Sequence, residues 1–225
     1  MRGAFPAEDN RTMTSISIKR RRLSGFTLVE LLTVLGIVAV LVGILIPVVS
    51  KMRERARSVE CLNNLRTIGV AMHLYANDNK GCLPIVSSSS SNWVYLLTGR
   101  GTGADYVSSQ GVITSIASGR DSVFICKENV ATATGDVGKA VAQTYGMNYN
   151  LGGKSLNAVS SPSRTCLAGD NICNVSSWQL LMRPDRPVAV PANVHNGLYH
   201  FVYVDGHVAA PSVYPASKSD PFWSP

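Results

Sequence analysis

The chain has 225 residues, of which 45% are hydrophobic and 16% are charged, and its net charge is +7. This length allows one small anchor and one globular domain. Residues 1–25 alone carry a net charge of +4, which leaves only +3 for the rest of the chain. The basic balance therefore gives no argument for nucleic-acid binding, and we infer no nucleic-acid partner.

A long apolar stretch follows the basic run Lys19–Arg22, and its residues Leu31–Val49 carry no charge. As a helix, these nineteen residues would cover roughly 28 Å, close to the ~30 Å hydrocarbon core of a bilayer. The stretch is longer than the ~7–15-residue core of a secretory signal, and no Ala-x-Ala site follows it. We therefore predict a membrane helix that is retained in the product.

The junction between the basic run and the apolar stretch reads Ser24-Gly25-Phe26-Thr27-Leu28-Val29-Glu30. This motif resembles the class III signal of type IV prepilins and type II secretion pseudopilins. In that family a membrane protease, prepilin peptidase, cuts after the glycine and methylates the new amino terminus. The resemblance implies that residues 1–25 are a leader, that cleavage separates Gly25 from Phe26, and that Phe26 becomes N-methylated. It also implies that Pro47 is the helix-kinking proline common in these proteins.

Glu30 would be the fifth residue of the processed chain. A charge in the centre of a membrane helix costs about 2.5–3.5 kcal/mol, and a membrane carboxylate usually has a partner. Pairing with the Phe26 ammonium group of an incoming subunit offsets part of that cost, so we assign Glu30 to assembly. Phe26 and Glu30 are also four residues apart, which allows a pair within one helix. The alternative is that Glu30 only marks the headgroup boundary.

The charges on either side of the apolar stretch do not fix its orientation. Four Lys or Arg residues lie just before it at positions 19–22, and four follow it within residues 51–57. The resemblance implies an amino terminus in the bacterial cytoplasm, one pass through the cytoplasmic membrane, and a periplasmic or extracellular head. The leader is long for such a signal, and Met13 is an alternative start to Met1.

Helical periodicity continues from Lys51 to about Asn79. Helix-stopping residues end the pattern at residues 77–81, and Pro84 lies just beyond. Joined to the apolar stretch, this segment predicts one helix of about fifty residues, roughly 75 Å long. Apolar or small residues recur along one stripe of it: Met52, Ala56, Val59, Leu62, Leu65, Gly69, Met72 and Ala76.

The remainder of the chain predicts short strands separated by loops. Candidate strands are Ser122–Cys126, Gln143–Asn150 and Thr165–Gly169, whereas Trp93–Leu97 is either a short helix or a strand. A hairpin is predicted from Tyr199–Val204 and His207–Ala210, because Asp205-Gly206 between them favours a tight turn of type I′ geometry.

His195, nine intervening residues and Asp205-Gly206 resemble the carboxy-terminal signature of a subgroup of pilin-like proteins. One interpretation is a metal site formed by His195, Asp205 and His207, with calcium as the ion, because some pseudopilins bind calcium near this end. The other is structural: Asp205 and Gly206 form the turn while His195 caps or hydrogen-bonds a neighbouring loop. Two histidines and one aspartate make a poor calcium cage, so we favour the structural interpretation and predict no cofactor.

The five cysteines are Cys61, Cys82, Cys126, Cys166 and Cys173. In a head outside the cytoplasm disulfides are plausible, with Cys82–Cys126 or Cys166–Cys173 as candidate pairs and one thiol left over. The absence of C-x-x-C and of paired histidines argues against a zinc cluster. The sequence contains no nucleophile elbow, His-Glu-x-x-His or phosphate-binding glycine loop, so we predict no enzyme activity.

Together these features predict an α+β, pilin-like fold, in which a long amino-terminal helix packs on a small antiparallel β-sheet. The segments would be a leader (1–25), a membrane and assembly helix (26–49), its continuation on the head (50–80) and a β-rich head (81–225). The predicted function is a structural subunit of a type IV pilus or type II secretion pseudopilus. Its partners would be prepilin peptidase, other pilin or pseudopilin subunits and an inner-membrane assembly platform. The alternative is a membrane-tethered extracytoplasmic binding or metal-dependent domain that does not polymerise.

Overall fold

The computed structural model describes residues 26–87, 91–99, 104–107, 122–128, 144–171, 181–184 and 193–225. These residues form two helices and five strands, joined by turns and two short 3-10 helices. In chain order the elements are α1 (Leu28–Asp78), α2 (Trp93–Leu97), β1 (Tyr145–Asn148), β2 (Cys166–Asp170), β3 (Leu181–Met182), β4 (Phe201–Tyr203) and β5 (Val208–Ala209). The chain divides into two compact units, with the boundary between Pro47 and Val48.

The described part of the first unit is helical from Leu28, and all its side chains are exposed. An apolar helix with no protein around it needs lipid or other protein to cover it. By length and composition, α1 is the one helix of the described residues that could cross a membrane. Pro47 lies inside α1. The kink assigned to it remains a prediction.

In the second unit α1 is buried on one side from Cys61 onward. Four residues of the predicted stripe are buried, together with other residues of the same face: Leu65, Ile68, Gly69, Ala71, Met72, Tyr75 and Ala76. Met52 and Val59 of the predicted stripe are exposed, because the core that covers α1 begins only at Cys61. The periodicity thus predicts the helix correctly but not where its covered part begins.

The helix ends as the sequence predicts, in a left-handed cap. The Gly81 N–H donates to the Ala76 carbonyl at 2.7 Å, six residues closing the last turn as in a Schellman motif. Lys80 and Gly81 both have positive φ, at 58° and 77°. The glycine accepts this conformation without steric cost, so the chain can turn away from the helix axis there.

The sheet has the strand order β3-β1-β2-β4-β5. The pairs β1–β2, β2–β4 and β4–β5 are antiparallel, whereas β3 pairs with β1 in parallel. The predicted α+β, pilin-like fold is confirmed, but the sheet is mixed and not antiparallel throughout as predicted, because the edge strand β3 runs parallel to β1. β1 lies within the predicted strand Gln143–Asn150, whereas β2 overlaps the predicted strand Thr165–Gly169 and extends one residue further, to Asp170. Both strands are buried along their whole length.

The carboxy-terminal hairpin forms as predicted, but its turn has another geometry. The Gly206 N–H donates to the Tyr203 carbonyl at 2.9 Å, and Gly206 has φ +89° while Asp205 is not among the residues with positive φ. A type I′ turn needs positive φ at both central residues. The loop is therefore longer than the predicted two residues, with glycine in the left-handed position that follows the turn.

One predicted short element needs correction, and the open choice between helix and strand for another is decided. Ser122–Cys126 is not a strand but a turn-rich segment, in which Phe124 and Cys126 are buried. Residues 127–128, which follow it, are helical. Trp93–Leu97 is a helix, because Asn92 accepts hydrogen bonds from the N–H groups of Val94 and Tyr95 and so caps it.

We predict that Gly69→Ala destabilises the protein by about 1–3 kcal/mol through overpacking. A Cβ at Gly69 would lie 2.8 Å from Cγ2 of Val202, a buried, β-branched side chain of β4 that has little freedom to move. Gly43→Ala is the matched control, because it brings the same gain in helix propensity and nothing lies within 4 Å. Thermal unfolding of the full chain in detergent, followed by circular dichroism, measures both. Equal melting temperatures for the two variants would contradict the close packing of α1 on β4.

Candidate functional site

The amino-terminal end of α1 is closed by a capping box formed by Thr27 and Glu30. The Glu30 N–H donates to Thr27 Oγ1 at 3.2 Å, and the Thr27 N–H donates to Glu30 Oε2 at 2.9 Å. The Thr27 hydroxyl also donates to the same carboxylate oxygen at 2.9 Å. Threonine followed three residues later by glutamate is the sequence signature of this cap, which satisfies two N–H groups at the helix start.

This geometry gives Glu30 a contact that the sequence analysis missed. The Glu30 carboxylate accepts hydrogen bonds from Thr27 of its own chain. Phe26, the residue before Thr27, is 83% exposed. The sequence could have predicted this contact, because Thr27 and Glu30 have the Thr-x-x-Glu spacing of a capping box. Gly25 lies outside the described residues, so cleavage between Gly25 and Phe26 remains a prediction.

The carboxy-terminal signature residues lie in different surroundings. Asp205 and His207 pair with each other on the surface, with 2.6 Å between Asp205 Oδ1 and His207 Nδ1. The hydrogen bonds from His207 outweigh burial and hold the pKa of Asp205 below its usual value. His195 is buried instead, in a turn in which the Leu198 N–H donates to its carbonyl. Among the described residues, the groups of three potential metal ligands that converge both contain His195, and neither contains Asp205 or His207.

His195 belongs to a buried cluster with Asp170 and His200. Asp170 ends β2 and His200 immediately precedes β4, and these antiparallel strands are neighbours, with the Asp170 N–H donating to the His200 carbonyl at 3.0 Å. Asp170 Oδ2 lies 3.2 Å from His195 Nε2 and 3.4 Å from His200 Nδ1. The two imidazole rings stack with 3.7 Å between their centroids, and Ser58 Oγ of α1 lies 3.0 Å from His200 Nε2.

The contacts around Asp170 are short, yet they are not hydrogen bonds of good geometry. Both carboxylate oxygens of Asp170 and the Nδ1 atoms of His195 and His200 are buried without a hydrogen-bond partner among the described residues. Burying polar atoms in this way is unfavourable unless charge attraction compensates. The stability of the fold therefore depends on the protonation states of Asp170, His195 and His200.

Burial and neighbouring charges shift the pKa values of all three side chains. Burial raises the pKa of Asp170 to about 6, although His195 opposes the shift. Burial also lowers the pKa of His195, but the close contacts with Asp170 and Cys61 and the charges of these two groups outweigh it and bring the pKa to about 9. Burial and then the charge of His195 lower the pKa of His200 to about 3. At neutral pH the cluster thus holds one carboxylate, one imidazolium and one neutral imidazole.

Two cysteines extend the cluster toward α1. Cys126 Sγ lies 3.2 Å from His195 Nε2 and 2.7 Å from Cys61 Sγ. The hydrogen bond with Cys126, and then the hydrogen bond and charge of His195, outweigh burial and lower the pKa of Cys61 to about 5. The atoms of Cys61, Cys126 and His195, and those of Asp170, His195 and His200, converge closely enough to be tested as sites for a divalent ion.

The cysteine arrangement differs from the candidate pair Cys82–Cys126, whereas the candidate pair Cys166–Cys173 includes a residue outside the described part of the chain. Cys126 contacts Cys61 rather than Cys82, which is partly exposed and contacts the Lys80 carbonyl. Cys166 is buried in β2, where burial raises the pKa of its thiol, and Cys173 lies outside the described residues. Local spacing could not reveal the cluster, because its members come from four separated parts of the chain.

An open cavity of about 360 Å³ adjoins the cluster. It lies between α1 and the turn that carries His195, and it is lined by Glu54, Arg55, Ser58, Val59, Glu128, Val194, His195, Asn196 and Leu198. Charged and apolar side chains both line it.

Comparison with known proteins adds two matches to this geometry. The family described as "Protein of unknown function (DUF1559)" matches residues 50–165, just over half of the chain. The chain belongs to the DUF1559 family. The "Prokaryotic N-terminal methylation motif" matches residues 20–46, which include Gly25, Phe26 and Glu30. No curated protein and no solved structure matches the chain.

The methylation motif and the fold together confirm that this DUF1559 member is a type IV pilin- or pseudopilin-like protein with a prepilin processing motif. The motif covers the leader junction and the apolar start of α1, and the DUF1559 match covers the later part of α1, α2 and β1. The motif also implies processing by prepilin peptidase.

We predict that His200 makes the protein less stable in acid. The folded-state pKa of His200, about 3, is lower than the ordinary value of 6.5, so the unfolded chain binds a proton that the folded chain refuses. His200 therefore destabilises the fold progressively as the pH falls from about 6.5 toward 3. In His200→Gln, which retains a side chain able to contact Ser58, the melting temperature should fall less steeply over this range. Parallel melting-temperature profiles for the two proteins would contradict the assignment.

Proposed function

We propose that this chain is a structural subunit of a type IV pilus or a type II secretion pseudopilus. Prepilin peptidase removes residues 1–25 and methylates Phe26, and the processed subunit joins a filament of identical or related copies. The inner-membrane assembly platform delivers it. The head lies in the periplasm or outside the cell, and the amino terminus of the precursor lies in the cytoplasm.

The observation that carries this proposal is the coincidence of two features in residues 20–48. The methylation motif matches residues 20–46, and the helix that begins within it exposes every side chain from Leu28 to Val48. Such an apolar surface is stable in lipid or against other apolar helices. Gly36 and Gly43, which lie seven residues apart and have open space around them, allow another helix to approach closely.

Glu30 supports assembly in two ways under this proposal. Its carboxylate caps α1 through Thr27, which fixes the position of the charge at the helix start. A second subunit brings the ammonium group of its own Phe26, and the pair removes an uncompensated charge from an apolar environment. Head-to-tail contacts of this kind generate an open helical filament rather than a closed ring.

We predict that Gly25→Val prevents leader removal. A large side chain at this position would obstruct the protease that cuts after glycine, whereas Ser24→Ala changes a neighbouring leader residue and serves as the control. Intact mass measurement of the membrane-extracted proteins should show the mass of the leader on Gly25→Val only. Wild-type protein should begin with methylated phenylalanine. An intact leader on the wild-type protein would refute the proposal.

We predict that Glu30→Gln is processed normally but does not enter filaments. Glutamine keeps an oxygen that can accept the Thr27 N–H, so this variant removes the charge and retains the cap. Glu30→Ala removes both, and Thr27→Ala removes the capping hydroxyl while the charge remains. If charge pairing drives assembly, only the two Glu30 variants disappear from the sheared filament fraction. Filament incorporation of Glu30→Gln at the wild-type level would show that capping, rather than pairing, is the contribution of Glu30.

The second candidate is a membrane-tethered head that binds a ligand and does not polymerise. The cavity next to His195 is the observation that favours it. The same fractionation distinguishes the two candidates, since a tethered head would be processed yet remain in the membrane fraction in wild type and variants alike.

A further inference from the structure

A short segment, residues 122–128, lies along α1 and makes contacts in a regular register. As α1 advances by successive turns, the contacts move backward along the segment, so the two run in opposite directions. The contacts are Arg57 Nη1 to Glu128 Oε2 at 3.1 Å, Glu60 Oε1 to Lys127 Nζ at 2.7 Å, Cys61 Sγ to Cys126 Sγ at 2.7 Å, and Asn64 Nδ2 to the Ile125 carbonyl at 3.5 Å.

The register holds the two sulfur atoms together independently of any bond between them. Ion pairs lie on one side of the sulfur contact, and the amide contact of Asn64 lies on the other. The segment is also tied to the sheet, because the Cys126 N–H donates to Thr144 Oγ1 and the Thr144 N–H donates to the Phe124 carbonyl. Contacts of the residues before and after Cys126 therefore fix the position of this cysteine.

We propose that Cys61 and Cys126 form a disulfide bond that fastens the 122–128 segment to the head half of α1. A sulfur–sulfur distance of 2.7 Å lies well inside the roughly 3.5–4.0 Å at which nonbonded heavy atoms pack. It leaves a short closing movement to the ~2.05 Å of a disulfide. Both side chains are almost fully buried, with 1% and 0% exposure, so water cannot separate the sulfurs.

A zinc ion explains the same atoms less well. With Zn–S bonds of about 2.3 Å in a tetrahedral site, two coordinating sulfurs lie about 3.7 Å apart, so zinc would require the sulfurs to separate. A structural zinc site also takes four protein ligands. The described residues instead converge as two groups of three that share His195, and the cysteines belong to one group only.

The bond forms by thiol–disulfide exchange with a disulfide-donating protein or a small disulfide. Cys61 attacks as a thiolate and displaces one sulfur of the donor, which gives a mixed disulfide on Cys61. Cys126 then loses its thiol proton, attacks the Cys61 sulfur and displaces the second donor sulfur. The two cysteines lose two electrons and two protons, and the donor disulfide gains both and leaves as two thiols.

The folded head protects the product of this exchange. Because both sulfurs are buried once the head has folded, exchange occurs while the 122–128 segment is still open, through the thiolate fraction of the exposed Cys61 thiol. Reductants are excluded after the segment closes. The inference rests on the proposed function only for compartment, since such bonds persist outside the cytoplasm.

The test is disulfide mapping of the full-length protein extracted from membranes of the cells that make it. Free thiols are blocked with N-ethylmaleimide at lysis, the chain is digested without reduction, and the peptides are identified by mass spectrometry. We expect one linked pair that contains Cys61 and Cys126 and that disappears after reduction. Labelling of both residues in unreduced protein overturns the proposal. So does a different partner for either cysteine, or one equivalent of zinc released when the thiols are blocked.

A second measurement does not depend on any variant folding well. The melting temperature of wild-type protein should fall by roughly 5–15 °C when unfolding takes place in reductant, because the bond closes a long loop. Cys82→Ser should show the same fall, since Cys82 lies apart from the pair, whereas Cys61→Ser should show none. A wild-type melting temperature that reductant leaves unchanged overturns the proposal.

The amino-terminal sequence of the same sample separates this inference from the proposed function. Free cysteines on a chain that begins with methylated phenylalanine would refute the disulfide alone. A linked pair on a chain with an intact leader would refute the processing proposal and leave the disulfide standing.

Discussion

The helix α1 has two parts that need different surroundings, an apolar part that the head leaves exposed and a part that the head covers on one face. The arrangement of the head follows from that constraint. Before Pro47 every described side chain of α1 is exposed although most are apolar, whereas from Cys61 onward one face is buried by the head. Hydrogen bonding within the helix makes both possible, because the backbone needs no partner in either setting. The head therefore has to provide a surface that covers only the second part, and the small mixed sheet provides it.

The close approach at Gly69 shows how the sheet achieves this. A glycine on α1 faces Val202, so the helix can lie directly on β4 without a side chain between them. Gly169 of β2 is packed just as tightly, with the ring of Phe201 and the His200 carbonyl where a Cβ would be. These small residues bring the strands and the helix close enough to bury the Asp170, His195 and His200 side chains beneath α1, at the level of Ser58.

Much of the fold could be predicted because its main signals are local. An uncharged apolar run and three-to-four-residue periodicity predict α1. Short apolar segments separated by turn-rich segments predict β1, β2 and the hairpin. β3 could not be predicted, since a two-residue strand is defined by its pairing with Met147 and Asn148 rather than by its own sequence. Ser122–Cys126 has the composition of a strand, but its apolar residues are buried by packing rather than by pairing.

The buried cluster shows the limit more clearly. Its side chains come from α1, the 122–128 segment, the end of β2 and the loop before β4. Each was visible as an ordinary cysteine, aspartate or histidine, and only the packing of the sheet on the helix brings them together. The capping box is the opposite case, because the Thr-x-x-Glu spacing that forms it is local and therefore predictable from the sequence alone.

The cap on α1 has a consequence for the shape of the processed end. With residues 1–25 gone, only one amino acid would precede the first hydrogen-bonded turn, which Thr27 and Glu30 already close from within the chain. The new amino terminus would then be ordered in the free subunit, and it would lose little conformational entropy on binding another subunit. Assembly would therefore not require this end of the chain to fold first.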